Sequence, residues 1–265
     1  MGILNLTPDS FSDGGRHDEP AAAVRAAVQM VEDGAALLDV GAMSTRPGST
    51  GVTPVEEWAR LEPVLADLRA EVGVPISLDT TRASVLQRAL EVGVDVLNDV
   101  SALSEDPAMV AVAADAGLPV VLMHRRGTPR DMQADPRYDD AVQEVSDELE
   151  QAVARALDGG VEESAILLDP GIGFGKRLED NVALLAGLPR LVALGRRTVL
   201  GCSRKAMLGT LTGQGVESRE HATTATTVLA ALAGVDFVRV HDCRAAADAL
   251  AVVDAVSVAS IEGRR

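Results

Sequence analysis

The sequence predicts an α/β fold, a (β/α)8 TIM barrel formed by all 265 residues (1–265) as a single domain. Three observations carry that reading. Short apolar runs ending in a polar residue alternate eight times with amphipathic helical stretches, the pattern of strand, loop and helix units. No linker-like or low-complexity break separates them, and strands alternating with helices imply parallel pairing through right-handed crossovers. The core is also aliphatic: 47% of residues are hydrophobic but only 2% aromatic, which suits the layered Leu, Val, Ile and Ala interior of a barrel. A doubly wound open sheet is the alternative architecture.

The elements follow in order. The first run, ILN, ends at Asn5, and the chain opens almost inside it at MGILN; either the natural start lies upstream or the strand begins at the terminus. TPDSFSDGGRHDEP (7–20) is a long loop, and AAAVRAAVQMVEDG (21–34) a helix ending in the glycine that helix C-termini prefer. LLDV places Asp39 at the end of the second strand, and GAMSTRPGSTGVTP (41–54) is the second long loop, followed by a helix over 54–73. ISLD ends at Asp79, VLND at Asn98, VVLMH at His124, ILLD at Asp169, TVLGCS at Ser203 and FVRVH at Arg239 and His241, with a long helix over 139–160. In a barrel these strand ends converge on the C-terminal face, where the two long loops are either mobile lids or tolerated surface loops, their position above the site favouring lids.

Residues 169–176, DPGIGFGK, invite two phosphate readings that the spacing refuses. A Walker loop requires glycine where Pro170 stands and a hydroxyl where Arg177 stands, and the G-x-G-x-x-G fingerprint fails because residue 176 is lysine. The formal net charge of −16 excludes broad nucleic-acid or anionic-membrane binding, so any anion must be held by a local cluster. Cys202 and Cys243 lack CxxC spacing, no apolar run is long enough to span a bilayer, and no signal peptide is visible; a reduced cytosolic compartment is the default. There is no G-x-S-x-G elbow or HExxH, and His17, His124, His221 and His241 lack metal-ligand spacing, leaving magnesium carried in by a phosphate as the metal expectation.

Within DPGIGFGK, Asp169 ends a strand and the glycines allow a sharp turn and close approach to a flat ligand. A rim carboxylate accepts two hydrogen bonds from the N–H and NH2 edge of a guanine or pterin ring. Asp79 and Asn98 end adjacent strands and complete such recognition, although Asp79 also suits a cap for a helix near Arg82 and Asn98 a turn. Arg46, Lys205, Arg239 and His241 form a cationic set in an acidic chain, which points to an anionic substrate with phosphate the usual candidate; for Arg46 alone an ordinary salt bridge serves equally.

Taken together, MGILNLTPDSFSDGG, DVGAMSTRPGS, ISLDTTR, LNDVS, LMHRRGTP, DPGIGFGK, GCSRKAMLG and FVRVHD resemble the dihydropteroate synthase family of pterin-binding barrels, from Met1 to about Asp242. That resemblance implies a cytoplasmic transferase of folate biosynthesis that joins 6-hydroxymethyl-7,8-dihydropterin pyrophosphate to 4-aminobenzoate in an SN1-like substitution. It implies that Asp79, Asn98, Asp169 and Lys205 hold the pterin, with Met123 and Phe174 lining its pocket. Arg46, Arg239 and His241 would bind the pyrophosphate, Asn5 would help coordinate Mg2+, and Thr45 and Pro47 would lie beside the aminobenzoate; Lys205, Arg239, Asp79 and Arg46 are the expected catalytic set. A homodimer and sensitivity to sulfonamides, which mimic aminobenzoate, are implied as well.

Three departures stand out. The family's GGES before TRPG is here Gly41, Ala42, Met43 and Ser44; the residue after the SRK lysine, commonly serine, is Ala206; and the N-terminal hairpin that often precedes MGILN is missing. An inert pterin-binding paralogue and a corrinoid-dependent methyltransferase on the same barrel are the competing readings. Retention of Lys205, Arg239 and His241 argues against the first, and the STRPG and SRK clusters argue against the second.

Overall fold

A computed structural model describes residues 1–6, 19–43 and 51–262. Eight strands, β1 (Gly2–Asn5), β2 (Leu38–Gly41), β3 (Ile76–Asp79), β4 (Val96–Asp99), β5 (Val120–Met123), β6 (Ile166–Asp169), β7 (Arg197–Leu200) and β8 (Phe237–Val238), pair in parallel in sequence order. The sheet then closes. Val240, just past β8, bridges to Gly2; the Ile3 N–H donates to the Val240 carbonyl at 2.9 Å and the Val240 N–H to that of Met1 at 3.0 Å. Sequential order with the last strand meeting the first is a barrel, and it rules out the open doubly wound sheet.

The helices α1 (Glu19–Glu32), α2 (Pro54–Glu71), α3 (Ala83–Glu91), α4 (Met109–Asp115), α5 (Ala141–Asp158), α6 (Leu178–Ala186), α7 (Leu188–Val192), α8 (Ala206–Thr212), α9 (Glu220–Ala233) and α10 (Cys243–Glu262) follow the strands. Local sequence explains their ends. Thr53 caps α2 through its side chain while Glu56 reaches back to the Thr53 N–H, with Pro54 at the first helical position, and the Asp140 carboxylate caps α5. No helix among the described residues is long and apolar enough to cross a membrane.

Alternation along each strand divides the core in two. Leu4, Leu38, Val40, Leu78, Leu97, Leu122 and Leu168 face outward and pack with helix residues such as Leu61, Leu86 and Leu149 in one large cluster. The inward positions begin with Met1, Leu37, Val121, Leu167 and Val199, a small apolar plug at the floor. Above it the inward residues turn polar, and the register brings Asn5, Gly41, Asp79 and Asn98 level across β1 to β4.

Two strand ends differ from the sequence reading. β2 runs on to Gly41, so Asp39 lies one layer below the rim rather than at it. β8 stops at Val238, so Arg239 and His241 follow the strand instead of sitting within it.

Candidate active site

The polar layer above the floor is organised by Asp39, which is fully buried. It accepts hydrogen bonds from Ser77 Oγ at 2.7 Å, from Asn98 Nδ2 at 3.1 Å and from Arg239 Nε at 2.5 Å. Arg239 also donates through Nη2 to Asp79 at 2.9 Å. One guanidinium thus serves two carboxylates, and the trio keeps one excess negative charge if both ionise. Burial and the nearby Asp39 push the Asp79 carboxyl up to about 7, against the pull of Arg239. Because Asp39 only accepts, the Asn98 NH2 must face it, which leaves Oδ1 as the Asn98 group for a ligand N–H.

Neither structural alternative for these residues holds. The Ala83 N–H that opens α3 is met by the Asp106 carboxylate at 2.8 Å rather than by Asp79, and the turn after β4 is served by Asp99, which accepts from the N–H groups of Ser101 and Leu103. Gly41 faces Asp79 so closely that a Cβ there would lie 3.1 Å from the Asp79 Cβ; the missing side chain keeps the cavity open beside the carboxylate.

At the end of β6, Asp169 accepts from the Gly171 N–H at 2.7 Å, and burial raises its pKa while Gly171 and Lys205 oppose the rise. It therefore shapes its own turn as well as facing the cavity. Gly171, Gly173 and Gly175 all adopt positive φ. The close approach they permit is mostly to protein, not ligand: a Cβ on Gly171 would stand 1.9 Å from the His124 carbonyl oxygen and one on Gly175 2.5 Å from that of Arg126. DPGIGFGK is a loop pressed onto the backbone that follows β5.

Phe174 caps the loop, clustered with Met123, Val100 and Met132, and Lys205 Nζ lies 4.0 Å above its ring centroid. Burial, reinforced by Arg239, draws the Lys205 ammonium down to about 8. Ser203 Oγ accepts from the His241 N–H at 3.2 Å and lies 2.8 Å from His241 Nδ1, which fixes the imidazole ring beside the mouth. The structure thus gathers Asp79, Asn98, Asp169, Met123, Phe174, Lys205, Arg239 and His241 at one mouth. His124 does not converge there; it turns away to Glu148 on α5 and to Lys176 beneath the glycine loop.

Thr45, Arg46 and Pro47 lie outside the described residues, as do most of the two long loops. Ala42 is buried and its carbonyl accepts from Arg60 Nη1 at 3.0 Å, while Ala206 is the exposed first residue of α8. Among the described residues no group of His, Cys, Asp and Glu could hold a metal ion. The donor set at the mouth of β1 is the Asn5 amide, which fits a cation that brings water and phosphate oxygens as its other ligands.

Sequence reasoning placed the rim groups but missed what supports them: Asp39 as a hub, Ser77 beneath it, and Val100 and Met132 beside Phe174. The two-residue spacing of Ser77 to Asp79, and of Asp39 to Gly41, was the available signal for a second inward layer.

A parallel barrel with inward carboxylates, an amide and cations at the C-terminal rim defines an enzyme that grips a flat polar ring beside an anion. A family model for pterin binding enzymes matches residues 1–241. The dihydropteroate synthase of Neisseria meningitidis serogroup C is 45% identical over 262 residues, covering 97% of this chain and 92% of the relative. The Xanthomonas albilineans dihydropteroate synthase solved with 4-aminobenzoic acid superposes with a TM-score of 0.92 at 45% identity, covering 97% of this chain and 92% of that one. The same organism's enzyme in complex with 7,8-dihydropteroate gives 0.88 at 42% identity, with the same coverage. The chain belongs to the dihydropteroate synthase family of pterin-binding transferases.

Proposed function

We propose that this chain joins 6-hydroxymethyl-7,8-dihydropterin pyrophosphate to 4-aminobenzoate, giving 7,8-dihydropteroate and pyrophosphate. The observation that carries the reading is the convergence of Asp79, Asn98 and Asp169 with Lys205 and Arg239 at the mouth of an otherwise acidic barrel. Asp169 accepts from the pterin N–H and NH2 edge, and Asn98 and Asp79 meet the polar atoms across the ring. Met123 and Phe174 cover its faces, and Lys205 lies over Phe174.

The reacting CH2 carries a good leaving group, so these residues need to supply little covalent chemistry. Its C–O bond breaks with the electron pair leaving on pyrophosphate, the pterin ring delocalises the positive charge, and the aniline nitrogen donates its lone pair to the carbon and then loses a proton. Preorganised charge favours that path. Arg239, held by Asp39 and Asp79 through Nε and Nη2, has Nη1 left to meet the departing anion, together with His241 and Arg46. Mg2+ bound to the pyrophosphate would neutralise its charge, with Asn5 as the protein ligand. Thr45 and Pro47 are assigned to the aminobenzoate, and sulfonamides to the same place.

The enzyme is further proposed to be cytoplasmic, in keeping with the buried free thiols of Cys202 and Cys243, and to form a homodimer. Leu229 and Leu232 on α9 and Val252 and Val258 on the adjacent α10 are exposed and give such a pair an apolar face; light scattering tests the mass.

Pyrophosphate release by the purified chain with Mg2+ and the pterin pyrophosphate decides the activity. Release should require 4-aminobenzoate and fall at least ~100-fold in Lys205→Ala, the order expected when a preorganised electrostatic contact to the reacting pterin is removed. A folded, pterin-binding chain without release would overturn it in favour of an inert binding protein.

A further inference from the structure

Lys176, the lysine of DPGIGFGK, serves neither a phosphate nor a surface: it is 3% exposed. Its Nζ donates to His124 Nδ1 at 2.8 Å, to the Gly171 carbonyl at 3.0 Å and to the Phe174 carbonyl at 3.0 Å, with a longer approach to the His124 carbonyl at 3.4 Å. An ammonium has three protons, and all three are spent inside the fold on uncharged acceptors. Burial draws it down to about 7, with Asp169 and Glu148 opposing and Lys205 and Arg126 adding to the fall.

What Lys176 holds matters for the site. Gly171, whose carbonyl it binds, gives its N–H to Asp169; Phe174, whose carbonyl it also binds, carries the ring under Lys205. Other carbonyls in the loop are fixed from outside, Gly173 by Gln133 Nε2 at 2.8 Å and Gly175 by the Tyr138 hydroxyl at 3.0 Å. Lys176 ties the carboxylate end of the segment to the aromatic end, reinforcing the backbone bond from the Phe174 N–H to the Gly171 carbonyl at 3.1 Å.

The orientation of Lys176 is set in turn. Glu148 accepts from Arg126 Nε at 2.8 Å and is held down to about 2 by its hydrogen bonds to His124 and Arg126, so it has no proton to give. His124 Nε2, 2.9 Å from Glu148, must therefore carry the ring proton, and Nδ1 presents its lone pair to Lys176.

We propose that Lys176, oriented by His124 and Glu148, is a positioning residue for pterin recognition: it fixes the geometry in which Asp169 and Phe174 meet the ring. This rests on the reading of the mouth as a pterin site. Calorimetric binding of 6-hydroxymethylpterin to the full chain tests both, with thermal unfolding measured on every variant. The wild-type chain must bind the pterin, or the site reading itself fails. In His124→Asn the side-chain oxygen replaces Nδ1 as acceptor, whereas in His124→Gln the amide reaches Glu148 but leaves Lys176 without it. We expect pterin affinity within 3-fold of wild type in His124→Asn, and a loss of 10-fold or more in both His124→Gln and Lys176→Met, with the KM for 4-aminobenzoate changed less than 3-fold. Equal affinities for the two His124 variants, or losses that simply follow the melting temperatures, would overturn the proposal. The His124 pair decides it even where Lys176→Met does not fold.

Discussion

At the scale of single residues the barrel interior is a matter of charge pairing. Asp39 holds Ser77, Asn98 and Arg239 at once, so Asp39→Ala leaves a buried guanidinium with only Asp79 and an amide without its acceptor. Breaking a buried pair from one side costs about 3–5 kcal/mol, and urea unfolding of the variant should show a loss of that size. His124 titrates well below a surface histidine. Burial, then Lys176, holds it neutral down to about 4, against 6.5 for the ordinary group. The unfolded chain takes the proton first, so its contribution to stability is complete above pH ~6.5 and is lost as pH falls from there toward 4, by about 3 kcal/mol. Because buried Asp79 titrates across the same window with the opposite sign, the test is the difference: urea midpoints should fall more steeply with falling pH in wild type than in His124→Asn. Lys205 sets an upper pH limit on activity: kcat/KM for the pterin pyrophosphate should fall as pH rises through about 8, and Lys205→Met should retain only a weak rate without that limb. Asp79, Asp169 and Lys205 were legible in the sequence because a polar residue closing an apolar run stands out. Asp39 was legible as a strand residue but not as a hub, since its role depends on β2 continuing two residues further and on an arginine 200 positions away.

At the scale of elements, the glycine loop shows how a motif is read for the wrong partner. The spacing excludes a phosphate loop and its glycines allow a sharp turn, and the positive φ at Gly171, Gly173 and Gly175 bears out the turn. What sequence could not show is that the neighbouring surface is the segment after β5, because that contact is set by the barrel's order of strands. The consequence is a graded series of substitutions. Gly171→Ala meets the His124 carbonyl oxygen at 1.9 Å and Gly175→Ala that of Arg126 at 2.5 Å, whereas Gly173→Ala meets only the Lys205 side chain at 3.3 Å. All three bear the cost of positive φ, about 1 kcal/mol, and the first two add displacement of backbone. Pterin affinity should therefore fall most in Gly171→Ala, next in Gly175→Ala and least in Gly173→Ala, as read by calorimetry. The helices were read well where caps are local: the stretch expected over 139–160 forms as Ala141–Asp158 behind the Asp140 cap, and the one expected from 21 starts at Glu19.

For the whole molecule, the eightfold alternation of runs predicted the barrel, since parallel strands joined by helices have few other closed arrangements. The proposed pairing of two chains was not legible in this way, because an apolar stripe on the outer helices reads like any core-facing one until the fold shows which side is covered. If α9 and α10 form the dimer face, Leu232→Glu, placed at a residue 67% exposed, should halve the mass seen by light scattering while leaving the melting curve of the isolated chain nearly unchanged. Closure of the sheet has a further consequence during synthesis. Val240 completes the ladder to Gly2 and Arg239 supplies the cation for Asp39 on β2, so nearly the whole chain must leave the ribosome before the open edge of β1 is paired or that buried acid meets its cation. At about 5–20 residues per second that is a delay of tens of seconds, during which the first strand is an open edge available to any passing chain.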